Sequence, residues 1–138
     1  MRRPAALLVV LVSIGLAGCR ATEDHADICG DLGHLAATVQ SLATPSPDAS
    51  VGAIRGGLEK MDPTFGSLSR SGLADPVVLD RLLRAHVAYR DLVADVGDDE
   101  TYASLGPAAP PAAAAFRAAF AAARRDLACS GVAHAAAG

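Results

Sequence analysis

The chain has 138 residues, 51% of them hydrophobic but only 4% aromatic and none of them Trp, so one small domain with a core of Leu, Val and Ile is expected. A formal net charge of -3 argues against the basic surface that nucleic acid or an anionic membrane recruits. Arg2 and Arg3 stand at the start of the chain, in a stretch that reads as a cleaved leader, which leaves the remainder more acidic still.

That leader has three parts. Arg2 and Arg3 form a positive start, residues 4–16 form an uncharged apolar run, and Ala17-Gly18 supplies small residues ahead of Cys19. The apolar run is shorter than the roughly 20 residues that a membrane span needs. Its end, Leu16-Ala17-Gly18-Cys19, resembles the bacterial lipobox. The resemblance implies acyl transfer (palmitate or a similar chain) to the Cys19 thiol, cleavage before Cys19 and acylation of the freed amine. Two or three acyl chains meet the condition for stable anchoring, since one chain alone holds weakly. The expected divisions are a signal peptide at 1–18, a lipidated tether at 19–26, a helical domain at 27–131 and a flexible tail at 132–138. The implied location is the extracytoplasmic face of the cell membrane. Arg20, where aspartate serves as an inner-membrane retention signal, permits the outer membrane if the cell has one.

With Cys19 lipidated, Cys29 and Cys129 remain, and an even pair in an exported chain is most simply a disulfide. Neither belongs to a CxxC motif that would mark a redox or metal site. The first helix is expected over about 23–42, where Ile28, Leu32, Leu35, Val39 and Leu42 recur at spacings of four and three. Glu23, Asp24, Asp27 and Asp31 are expected at its start, where acids complement the helix dipole. Ser46 and Pro47 suit the cap and first position of the second helix, which carries Val51, Ile54, Leu58 and Met61 on one face. Gly52, Gly56 and Gly57 weaken that helix, so it must lean on packing or admit a close neighbour. Residues 63–72 read as a short extra turn that buries Phe65 and Leu68.

Asp75-Pro76 opens the third helix, expected to about Val96 with Leu79, Leu82, Leu83, His86, Val87, Tyr89 and Val93 inward. Residues 97–111 read as a loop. The fourth helix follows to about Cys129, with Phe116, Phe120, Ala123 and Leu127 inward and Gly131 suited to its C-cap. No segment alternates with period two. The expected fold is all-α, a four-helix up-down-up-down bundle after an N-terminal signal helix, closed by one disulfide. Helix-wheel projection places both cysteines off their stripe centres, so the bond is expected at the bundle's edge.

Asp27, Asp31 and His34 share one face of the first helix and form a weak metal-ligand set. Acids on a helix and a His34–Asp31 pair are the simpler reading. His86 falls inside the apolar stripe, where a buried histidine is usually satisfied by one hydrogen bond, with Tyr89 or an aspartate as the expected partner. Asp98, Asp99 and Glu100 lack the alternation and glycine of a calcium loop and read as solvated. No GxSxG, HExxH or P-loop is present, so neither an enzyme nor a cofactor is expected.

The stretches "CGDLGHLAATVQSL" (29–42) and "RRDLAC" (124–129) resemble small exported helical proteins and lipoproteins of actinobacteria. That resemblance implies a disulfide-closed helical bundle without a known activity. The expected function is a membrane-anchored, non-enzymatic binding or interaction module of the cell envelope. Its partners would be the membrane, through lipid on Cys19, and an envelope protein or small ligand, with no nucleic acid. The alternative is a metal- or small-ligand-binding lipoprotein that uses the Asp/His face of the first helix.

Overall fold

The computed structural model describes residues 16–129, with side chains from residue 23 onward. Residues 1–15 of the expected signal peptide at 1–18, the Cys19 side chain, Gly131 and the tail at 132–138 lie outside the described residues. The described chain is all-α: α1 (Leu16–Ala43), α2 (Val51–Glu59), α3 (Asp62–Ser71), α4 (Pro76–Ala94), a 3-10 turn (Tyr102–Leu105) and α5 (Ala109–Asp126). Within it, extended pairing is limited to a bridge between Ser50 and Thr101.

The apolar stripe of α1 is buried as its spacing requires, with Ile28, Leu32, Val39 and Leu42 enclosed and Leu35 partly so. The helix begins at Leu16 instead of near Glu23, so the stretch 19–26 expected as a tether has helical backbone. Residues 20–27 contain neither Pro nor Gly to stop a helix, and His25 secures the segment through Leu127. As a result no acid occupies the first turn of α1, and the dipole argument for Glu23, Asp24, Asp27 and Asp31 does not hold.

The cap of α2 is Ser50, whose hydroxyl accepts from the Ala53 amide, and not Ser46. Residues 47–50 are unavailable for helix because their backbone is tied elsewhere. The Tyr102 amide donates to the Ala49 carbonyl at 2.8 Å and the Ala103 amide to the Pro47 carbonyl at 3.2 Å. The expected extra turn is the ten-residue α3, with proline in its first turn and Gly72 closing it at φ 67°. Phe65 and Leu68 are buried as expected.

Asp75 caps α4 by accepting from the Val77 and Val78 amides, and Leu82, His86, Tyr89 and Val93 form its buried arc. Val87 is 51% exposed and does not belong to that arc, because it lies 100° around the helix from His86. Helix α5 buries Phe116, Phe120 and Ala123 as expected, together with Ala109, Ala113 and Ala119. It stops at Asp126, with Leu127 as its cap and Ala128 in the left-handed region at φ 52°. The main helix contacts are α5 with α4 and α1, α2 with α4, and α1 with α3 and α2. They enclose one core.

Candidate functional site

Asp27, Asp31 and His34 are all exposed on α1. Asp24, Asp27, Ile28 and Asp31 line one wall of a shallow cleft, with Ser67, Arg70 and Ser71 of α3 opposite, and His34 is not part of it. The described ion pairs do not include one between His34 and Asp31, since both side chains reach solvent. Among the described residues, no three His, Cys, Asp or Glu side chains are gathered closely enough to hold a metal ion.

The cysteines are brought together. Cys29 and Cys129 stand at disulfide distance, with Cα atoms 5.2 Å apart across a sequence separation of 100. Both are enclosed, at 3% and 2% exposure, so the edge position expected from helix-wheel projection is wrong. Cys129 lies beyond the end of α5, after the left-handed Ala128, and the 100° helical increment no longer describes where its side chain points. The His25 ring supports this end of the bundle: its Nε2 donates to the Leu127 carbonyl at 2.6 Å and lies 3.8 Å from Cys29 Sγ.

His86 is buried, 4% exposed. Its Nε2 is 3.0 Å from the Leu58 carbonyl. A carbonyl only accepts, so Nε2 carries the proton of the neutral ring. Phe65 meets the imidazole edge-on with centroids 5.0 Å apart, and Phe116 lies 5.7 Å away at a tilt. Burial lowers the His86 pKa below the usual imidazole value. The Leu58 hydrogen bond and the charge of Asp62 oppose that shift, and Arg90 adds to it. Tyr89 is not the partner of His86: its hydroxyl donates to the Leu42 carbonyl at 2.8 Å, and burial keeps it protonated well above the ordinary phenol range. Both polar side chains of the core are thus engaged in joining one helix to the carbonyl end of another.

A groove of about 440 Å³ between α2 and α4 is lined by Arg55, Glu59, Val87, Arg90, Asp91, Val93 and Ala94. Arg55 turns its guanidinium to the end of α4, donating to the carbonyls of Val93 at 2.5 Å and Val96 at 2.6 Å and pairing with Asp98. The Gly52 amide also donates to the Asp98 carbonyl, and the Val51 amide to that of Glu100. The acidic loop is solvated, as expected, and also braces the start of α2, with Asp98 both exposed and paired to Arg55. Arg90 on the same wall donates to both carboxylate oxygens of Asp62 at 3.1 Å.

Neither Arg55 nor His25 stands out in the sequence. The available signal for Arg55 is a lone cation between glycines, facing an acidic loop that needs a partner. Among the described residues no helix is long and apolar enough to cross a membrane. No protein-family model, curated protein or solved structure matches this chain.

Proposed function

We propose that the chain is an extracytoplasmic lipoprotein, held on a membrane through lipid on Cys19, whose helical domain is a non-enzymatic binding or interaction module of the cell envelope. The observation that carries the reading is the placement of Cys29 and Cys129 at disulfide distance in the core. Bonded cysteines belong to an oxidising compartment, which agrees with the leader and the Leu16-Ala17-Gly18-Cys19 motif. The side chains best suited to chemistry, His86 and Tyr89, are engaged with helix carbonyls, which favours a binding role over a catalytic one.

The finer topology in this reading is up-down-up-down, with α2 and α3 as one leg broken at Lys60 and Met61. It is supported by which ends meet: Leu42 of α1 with Gly57 of α2, Asp62 with Arg90, and the Asp75 amide with Asp126 of α5. The tethered end is then the one that carries the cysteine pair, ten residues after Cys19.

Cys19→Ala tests the anchor. The expected result is loss of palmitate labelling and movement from the membrane fraction to the soluble or secreted fraction; unchanged fractionation overturns the lipoprotein reading. Alkylation of the wild-type protein without reductant should leave both Cys29 and Cys129 unmodified, and labelling of either one contradicts the oxidised state.

A further inference from the structure

We propose that His86 is an acid-sensitive latch on the joint between α2 and α3: its neutral ring fits the closed core beside the end of α2, whereas the charged ring made by a proton at Nδ1 is better solvated with that arm open. The joint's local support is backbone alone: the Lys60 amide donates to the Gly56 carbonyl and the Met61 amide to the Leu58 carbonyl, both at 3.2 Å, so Leu58 is shared with His86. Helix α2 has nine residues, below the ~12–15 at which an isolated helix is even marginal, and Gly56 and Gly57 weaken it further. Met61 stands at the start of α3 and provides no side-chain cap. The arm is held from outside by two α4 residues one turn apart. His86 reaches the Leu58 carbonyl of α2, and Arg90 reaches the Asp62 carboxylate of α3.

The surroundings of His86 favour its neutral form. Its ring packs against Phe65 of α3 and Phe116 of α5, and the Leu58 carbonyl of α2 faces its Nε2. The charged groups facing it are Asp62 of α3, whose Oδ1 is 3.8 Å from Nε2, and Arg90 of its own helix. Asp62 is a weak counter-charge for an imidazolium, because it is 45% exposed and already shared with Arg90. Burial therefore outweighs the attraction, and the closed arm binds a proton less readily than the open one. A group whose closed-state pKa is depressed in this way favours closure above the open-state value near 6.5. That preference fades as the pH falls below 6.5. Opening uncovers Met61, Phe65 and Leu68, an apolar strip hidden in the closed form.

Amide hydrogen exchange on the full chain in detergent micelles, at pH 7.5 and 5.5 and corrected for intrinsic rates, tests this. The opening constants of amides in 54–71 should rise by up to about tenfold at the lower pH, while those of α1 and α5 stay within about twofold. His86→Gln keeps an amide donor for Leu58 but does not titrate, and its 54–71 ratio should fall close to one. An equal rise in all helices, or the same ratio in the variant, overturns the latch. Should the variant not fold, nitrogen-15 titration of the wild-type imidazole serves instead. Protonation of His86 must coincide with shifts in the 61–71 amides, and protonation without those shifts refutes the coupling.

Discussion

Replacing Cys29 and Cys129 by alanine together removes a covalent tie between the two ends of the described chain. The pair closes a loop across 100 residues, and the chain-entropy account credits such a closure with about 4.7 kcal/mol. Residual structure in the denatured state reduces that figure, so a loss of about 3–4 kcal/mol is expected. The change in side-chain volume is small by comparison, since alanine keeps the apolar character of a site that is nearly fully enclosed. Against a total of ~5–15 kcal/mol for a domain of this class, that is a large share. At this chain length it corresponds to about 15 °C in Tm. Urea unfolding of oxidised wild type and the double variant, followed by far-ultraviolet circular dichroism, reads the loss from the midpoints. The slope should be steeper for the variant, because its denatured state is no longer held compact. A difference below about 1 kcal/mol would refute the view that this closure sustains the fold, and would weaken the export argument built on the same pair.

Three further changes separate local from tertiary causes. A Cβ at Gly56 meets nothing within 4 Å, whereas one at Gly57 meets Leu42 Cδ2 at 3.1 Å. Gly56→Ala should therefore stabilise by about 0.5–1 kcal/mol, and Gly57→Ala should fall short of it by about 1 kcal/mol or more in the same urea experiment. Equal shifts would mean that the Leu42 contact does not constrain α2. Tyr89→Phe removes the donor to the Leu42 carbonyl, which lies in the last turn of α1 where helical partners run out. A loss of about 1–2 kcal/mol is expected, and a neutral result would show that the carbonyl finds another donor. Arg55→Met keeps the apolar stem but removes the donor to Val93 and Val96. A loss of about 1.5–3 kcal/mol is expected, and 1 M salt should remove only a small part of the wild-type advantage, because Asp98 is 69% exposed and its pair is screened. Strong salt sensitivity would instead make the ion pair the dominant contact.

The sequence by itself determined the helices, because a helix buries one side and that side recurs at spacings of three and four. Ile28 to Leu42 on α1, Leu82 to Val93 on α4, and Phe116 to Ala123 on α5 all follow this rule. It also supplied the cysteine pair, once Cys19 was set aside as the expected lipidation site and two cysteines remained. Element ends were less legible wherever a distant segment competed for the backbone. Residues 47–50 lose helix to the 100–103 loop, and α1 gains turns before Glu23 with support from Leu127.

The partners of polar side chains were decided only by the tertiary structure. His86 and Tyr89 reach the carbonyls of Leu58 and Leu42, and Arg55 reaches Val93 and Val96. Backbone carbonyls carry no residue-specific signature, so a side chain that seeks one leaves no matching letter elsewhere in the chain. The cysteines show the same division: their number was legible, but their enclosure depends on the turn at Ala128, where helical periodicity ends.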